Sequence, residues 1–388
     1  MRLSFAVIAL LLLWVGVAYA FSPNYPMETF KLDLDAPPSE RWNHILDRYN
    51  ASVPYLLKYF KDEFAELEKR LVNQVLGDLH NIIGEELGEE IKGIAKYWNV
   101  DVGTILGINL MYEFRKLMGD HHFNITPNST DSKSVHPPGI FGCVSMVAQD
   151  LEGRVLHGRI LDWNLPNELR NASFIVEYVS NGSVIFTGIN SIAGTIGMPT
   201  GISKKGFSLS INERSLGGDL IEDSIDALLL GGAEVVLFAR QVLTHARSYD
   251  EALDMLNKHY LAAPVYYILA GSKPNEGAVI TRDRSILVNL WQLNVSASVP
   301  DSWYLLETNY DHWKSPVPYD NRRMYGVKYL KQLGQNVGAS MAGLLDVLFT
   351  WPLRNQFTME VILMNPKAYI VQAFQVFNVT TQSPFYVH

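Results

Sequence analysis

A single cysteine, Cys143, occurs in 388 residues, so the chain has no partner with which to form an intramolecular disulfide. The same scarcity excludes a cysteine-built structural zinc site, and none of the ten histidines stands in a His-Glu-x-x-His arrangement. There is no P-loop and no G-x-S-x-G turn, and Gly194, Gly197 and Gly201 lack the spacing of a dinucleotide-binding loop. Basic residues are outnumbered, 32 against 40 acidic, and the net charge of -8 argues against nucleic acid as a partner. Past residue 20 no run is long and apolar enough to cross a bilayer. The one tight histidine pair, His121-His122, falls in a polar stretch and reads as solvated.

What is present points to the secretory route. Residues 1–20 combine Arg2, an apolar run over 5–14 and a small-residue end at Ala18-Tyr19-Ala20, the pattern of a removable signal peptide. Sequons at Asn50, Asn124, Asn128, Asn171, Asn181, Asn294 and Asn378 fit the same route, so the mature protein is expected to be lumenal or secreted. With 48% hydrophobic residues the chain can bury a large core without a covalent staple. In an oxidising compartment a solitary thiol is a liability. Two readings of Cys143 therefore stand at this point, a small buried hydrophobe or a group retained for its reactivity.

The chain divides by hydrophobic period. Residues 21–118 read as helical, with Leu56, Leu57, Phe60, Phe64, Leu67, Leu71, Val75, Leu79 and Ile83 recurring at three- and four-residue intervals and a second helix over 104–117. That stripe reads as core-facing, with peripheral contact to a membrane as the other use of such a face. Residues 119–142 carry turn formers and two sequons without hydrophobic period, an exposed linker. From Cys143 to the end, strands over 144–148 and 155–161 and over 174–179 and 184–189, the latter joined by Asn181-Gly182, lead to a strand at 207–211. Helices over 220–230 and 235–246 and one opened by Ser248 and Glu251 follow, then four strand candidates between 265 and 308. Helices over 322–333 and 341–350 precede closing strands over 359–363 and 368–377. This order predicts an α+β fold, a four-layer αββα sandwich over 143–388, preceded by the helical region.

Cys143 opens the first of these strands directly after the linker. If the chain is cut between Gly142 and Cys143, the cysteine carries both a thiol nucleophile and, in its new α-amino group, a base. The preceding glycine is expected to supply an unusual backbone conformation for attack on its own carbonyl. Arg159 and Asp162 lie on the next strand, near enough to face Cys143. A charged pair among apolar strand residues is costly to bury unless paired, and a structural salt bridge is the alternative to a catalytic role.

The segments from Gly142 to Asp150, His157-Gly158-Arg159 with Asp162, Asn212-Glu213-Arg214, Ile280 to Arg284 and Thr308 to Lys314 resemble the acid ceramidase and N-acylethanolamine-hydrolysing acid amidase family of N-terminal-nucleophile hydrolases. The resemblance spans residues 30 to at least 365. It implies a lysosomal proenzyme that cuts itself into an α chain ending at Gly142 and a β chain starting at Cys143, an α/β heterodimer from one precursor. By motif match Arg159 and Asp162 would orient the nucleophile and its amine, Glu213 would complete the polar cluster, Asn309 would donate to the oxyanion, and Arg322 would support that loop. The amidase branch fits better, because acid ceramidases carry additional cysteines that this chain lacks. The expected substrate is an N-acylethanolamine lipid, with ceramide as the alternative, and the implied chemistry needs no metal or organic cofactor. A non-catalytic lipid carrier built on the N-terminal helices is the remote alternative.

Overall fold

The computed structural model describes residues 25–62, 83–113, 141–214, 226–317 and 320–376. The signal segment, the stripe from Phe64 to Leu79, His121-His122, nearly all of the linker and most of the 220–230 helix lie outside them.

Two sheets form the body. Strands β1 (Tyr25–Pro26), β2 (Thr29–Asp33), β3 (Phe141–Gln149), β4 (Val155–Trp163), β5 (Phe174–Ser180), β6 (Ser183–Asn190), β7 (Thr200–Ser203) and β8 (Phe207–Glu213) are followed by β9 (Val265–Gly271), β10 (Gly277–Arg282), β11 (Leu287–Gln292), β12 (Tyr304–Glu307), β13 (Thr358–Asn365) and β14 (Ile370–Gln375). They order as β1-β14-β13-β4-β3-β12 and as β11-β10-β9-β8-β7-β6-β5-β2. Helices α1 (Asn43–Tyr49), α2 (Glu85–Trp98) and α3 (Val102–Asn109) precede β3. Helices α4 (Val235–His245) and α5 (Tyr249–Lys258) cover the eight-stranded sheet, and α6 (Arg322–Gly338) and α7 (Met341–Phe349) cover the six-stranded one. The four-layer αββα sandwich expected from the strand and helix order is the architecture found.

Local chemistry explains the elements. Asn181 and Gly182 both take positive φ, 49° and 71°, the values a tight hairpin turn between β5 and β6 needs. Ser248 caps α5 by accepting from the amide of Glu251, but the Glu251 carboxylate reaches back to the amide of Arg247 rather than that of Ser248. Leu56 and Phe60 are buried, as the stripe predicts.

Two expectations change. The region before the linker is not wholly helical: β2 pairs in parallel with β5, and β1 pairs with β14. Strands of two and five residues leave little signal in a sequence, yet β1 joins this segment to the six-stranded sheet and β2 joins it to the eight-stranded one. The linker also ends earlier than expected, because β3 begins at Phe141 and Gly142 is already paired opposite Asp162.

Side chains of β3 alternate between two environments. Val144 and Met146 pack with Leu344 and Leu348 under the covering helices. Cys143 and Ser145 point the other way, into the space between the sheets. The apolar groups there gather at two ends, around Tyr266 and Ile268 and around Ile202 and Ile362.

Candidate active site

Cys143 is buried, and its thiol lies 3.6 Å from Nη2 of Arg159, which donates toward it. Arg159 stands on the same face of the neighbouring strand, two register positions along. Its Nη1 donates to the carbonyls of Ile211 and, at 3.3 Å, Pro199, while its Nε has no hydrogen-bond partner among the described residues. Burial pushes the thiol pKa up, and the Arg159 charge and a bond from the Glu213 backbone oppose that rise.

Asp162 does not pair with Arg159. Three residues on in an extended strand it projects to the opposite face, where Arg322 Nη1 donates to it at 3.1 Å, Asn355 at 2.8 Å and Thr358 at 2.6 Å. The charged pair expected from adjacency in sequence is thus two separate ion sites on the two faces of β4. Burial raises the Asp162 pKa, against the pull of Arg322 and its other partners. Arg322 is in turn gripped by Asp320, through Nε and Nη2 at 2.8 Å each.

Gly142 is a glycine for space, not for φ, since it is not among the positive-φ glycines. A Cβ there would stand 2.9 Å from Arg322 Nη1 and 3.2 Å from Asp162 Oδ2. Both groups are tethered and buried and have nowhere to retreat. The unusual backbone conformation expected of this glycine is absent.

Asn309 joins the two faces. Its Oδ1 accepts from the Cys143 amide at 2.9 Å and from Arg322 Nη2 at 2.7 Å, and its Nδ2 donates to the Glu213 carbonyl at 2.9 Å. Two donors on one side and a carbonyl on the other fix the amide's orientation and leave one Nδ2 proton to spare. Glu213 enters this cluster through its main chain, whose N–H bonds the thiol and whose C=O holds Asn309.

Asp320, Asn355 and Thr358 escaped the sequence reading because they sit far along the chain, Asp320 and Asn355 in loops and Thr358 at the start of β13. Glu360 on β13 escaped it too; its carboxyl is fully buried and raised by burial, and it couples to the Arg159 charge. A cavity of about 690 Å³, partly open to solvent, adjoins Cys143 and Arg159. Its walls are mainly apolar: Ile108, Met111 and Tyr112 from before the linker, Trp163, Ile192 and Val236 from after it. Among the described residues no group of His, Cys, Asp or Glu has the geometry of a metal site.

Residues 143–344 match the model for linear amide C–N hydrolases of the choloylglycine hydrolase family, and the match opens on Cys143 itself. Residues 25–84 match a model described as the beta subunit of N-acylethanolamine-hydrolyzing acid amidase, although this segment comes first in the chain and is called α above. The chain is 31% identical to the N-acylethanolamine-hydrolyzing acid amidase of Caenorhabditis elegans over 87% of its length and 88% of the relative's. Against the enzyme of that name from Rattus norvegicus the identity is 32%, covering 94% and 92%. The acid ceramidase of Balaenoptera acutorostrata scammoni is 31% identical over 88% and 85%. A solved structure of the Caenorhabditis elegans amidase superposes with a TM-score of 0.55 at 33% identity, covering 61% of this chain and all of that one. With relatives aligned along most of its length and the hydrolase match beginning at the buried cysteine, the chain belongs to the N-acylethanolamine-hydrolysing acid amidase and acid ceramidase family, and it is a hydrolase of amide C–N bonds.

Proposed function

We propose that this chain is a glycosylated lysosomal proenzyme that cuts itself between Gly142 and Cys143 and then hydrolyses N-acylethanolamines to a fatty acid and ethanolamine. The observation that carries the proposal is the hydrogen bond from the Cys143 amide to Asn309, which ties the nitrogen of the scissile peptide into a cluster whose other arm, Arg159, reaches the thiol. In the first step Cys143 Sγ attacks the Gly142 carbonyl carbon. The C–N bond breaks, the thiol proton passes to the departing nitrogen, and a thioester remains. Water hydrolyses it, freeing the Gly142 carboxyl and returning the thiol beside a new amine.

That amine emerges where Asn309 Oδ1 already accepts, close to the Asp162 carboxyl. It takes the proton of Cys143 in the second reaction, attack on the amide carbonyl of the lipid. The spare Nδ2 proton of Asn309 is the donor assigned to the resulting oxyanion. Ethanolamine leaves with a proton, and water resolves the acyl thioester. The apolar lining of the cavity suits a flexible acyl chain. Arg159, Asp162, Arg322 and the Glu213 backbone serve as positioning and electrostatic groups around these steps. No cofactor enters the scheme.

Other features support the route and the processing. The sequon residues Asn50, Asn171, Asn181 and Asn294 are all exposed. A whole chain of the solved relative corresponds to 61% of this one, a share close to that lying between Cys143 and the C-terminus. The test is the N-terminal sequence of fragments formed at acidic pH, followed by paired assay of palmitoylethanolamide and ceramide. A fragment beginning at Cys143, absent from Cys143→Ala, with faster turnover of the ethanolamide, is the expected result. Cleavage in Cys143→Ala removes the autocatalytic scheme, and preference for ceramide moves the substrate to the other branch.

A further inference from the structure

Asn309 lies beyond the last ladder pair of its strand, Glu307 with Ser145, so regular sheet pairing does not hold it. What crosses to this segment is Asn212, on β8 of the opposite sheet. Its Nδ2 donates to the carbonyls of Glu307 at 2.9 Å and Thr308 at 3.1 Å, and its side chain is fully buried. The next residue on each strand completes a second rung, Asn309 Nδ2 to the Glu213 carbonyl. Two consecutive asparagine-to-carbonyl rungs therefore lace the end of β8 to the end of β12, one in each direction.

The Asn212 amide is held from behind by a chain of hydrogen bonds whose direction can be worked out. Ser145 Oγ donates to Asn212 Oδ1 at 2.7 Å, which uses its only proton. The 3.0 Å contact between Ser145 and Ser210 then requires Ser210 to be the donor. Ser210 in turn accepts from His157 Nε2 at 2.9 Å, and His157 Nδ1 accepts from Ser208 at 2.9 Å. This assignment needs a neutral His157 with its proton on Nε2. Burial, aided by the Arg159 charge and opposed by a bond to the Ser208 backbone, lowers the His157 pKa to about 3, so the imidazole stays neutral in an acidic compartment. Every residue of the relay is buried.

We infer that Asn212 is a positioning residue for Asn309: by fixing Thr308 from across the inter-sheet space, it sets where the Asn309 amide meets the Cys143 nitrogen and the oxyanion. Arg323 brackets the same segment from the helix side, bonding Glu307 Oε1 at 2.6 Å, Thr308 Oγ1 at 3.3 Å and the Tyr310 carbonyl on the far side of Asn309, whereas Asn212 holds the two carbonyls that precede Asn309. The inference rests on the assignment of Asn309 as oxyanion donor, and the two can fail separately.

The experiment has a structural and a kinetic arm. In the uncut Cys143→Ala chain, adding Asn212→Ser removes the two Nδ2 bonds, and hydrogen exchange is followed at residue 143, whose amide reports the Asn309 contact. The expected result is exchange faster by at least about tenfold at residue 143 with the β9 amides unchanged. In the chain with Cys143 intact, Asn212→Ser should slow self-cleavage and kcat for palmitoylethanolamide by on the order of 10- to 100-fold while KM stays within about twofold, as expected of a misplaced reacting group. Ser145→Ala, which leaves Asn212 in place but releases its Oδ1, should give a smaller change of the same kind and serves if Asn212→Ser does not fold. Unchanged exchange at residue 143, an equal rise throughout β9, or native rates overturn the positioning role. Asn309→Ala is run alongside: native rates in that variant overturn the oxyanion assignment, whereas impaired Asn309→Ala with a native Asn212→Ser overturns only the inference made here.

Discussion

Two buried clusters of charge in this molecule are built to opposite rules. Around Glu90 every lone pair has a donor: Arg240 at 2.6 and 2.7 Å, Arg41 at 2.7 Å and the Trp42 indole at 2.7 Å. Around Cys143 the donors outnumber what they hold. Arg159 Nε has no partner among the described residues, its Nη2 reaches the thiol only at 3.6 Å, and Asn309 has a proton to spare. The first cluster joins α2 and the start of α1 to α4 and has no capacity left. The second keeps donor capacity unused in the resting state, where a charge that develops during reaction can take it up. Saturation holds a fold together, and the unsaturated cluster is the one suited to chemistry.

Breaking the saturated cluster should have the larger effect on stability. Glu90→Ala strands Arg240 and Arg41 in the interior, a loss of about 3–5 kcal/mol for a broken buried ion set. Denaturant titration should register that loss, while the protein remaining folded keeps native turnover per molecule. Burial opposes ionisation of Glu90, but Arg240, Trp42 and Arg41 outweigh it and hold the pKa below 4.5. The stabilisation is therefore present above pH 4.5 and lost as pH falls through the lowered value. A drop in turnover equal to that of a site variant would erase the distinction between the clusters.

Arg159→Lys tests the other side. Lysine keeps the charge and one donor but loses the planar fork that reaches a carbonyl and the thiol together. Self-cleavage should slow by on the order of 100-fold, with a stability loss below that of Glu90→Ala. Comparable stability losses with normal cleavage would place Arg159 among the structural charges.

How much of this could be seen in the sequence differs between the clusters for a physical reason. Cys143 announces itself by being alone, and Arg159 by being a charge in an apolar strand. Asn309 and Arg322 needed the family motif. Period-two patterning shows which face of a strand a side chain takes, so the sandwich was legible. It does not show what meets that face from the other sheet. Asn212, Ser145 and His157 lie in segments that carry the family resemblance, which gives them no role of their own, and only the packing of β8 against β3 and β4 makes them a relay. Glu90 is less visible still. It lies in Glu85-Glu86-Leu87-Gly88-Glu89-Glu90, where a run of glutamates reads as a solvated helix face, and its main partner is 150 residues away. Asp320, Asn355 and Thr358 are hidden in the same way, since residues that converge from separate segments on Arg322 and Asp162 share no period.

A third cluster sharpens the comparison with the smallest effect, because it is neither saturated nor at the nucleophile. Glu113, from before the linker, accepts from the Val235 amide at 2.9 Å, and Glu234, from after it, accepts from the Leu237 amide, so two carboxyls share the first turn of α4. Tyr267, Tyr112 and His259 are among the titratable groups near them; burial, with the Arg282 charge, lowers the His259 pKa, and burial raises that of Tyr267 and keeps it neutral. Burial, then the charge of Glu113, raises the Glu234 pKa well above 4.5. A raised folded-state pKa means that the fold favours the protonated form: its stabilisation is fully present below pH 4.5 and is lost as pH rises through the folded value. The sign is the reverse of that at Glu90, so the contact between the two segments should be firmest in acid. Glu234→Gln is the neutral isostere and keeps an acceptor for the Leu237 amide. It should match the native protein in thermal melts near about pH 4 and exceed its Tm by a few degrees near about pH 7.5. Parallel melts at both pH values would mean that Glu234 does not titrate across this range, and would return the pair to the class of Glu90, charges whose only work is to hold.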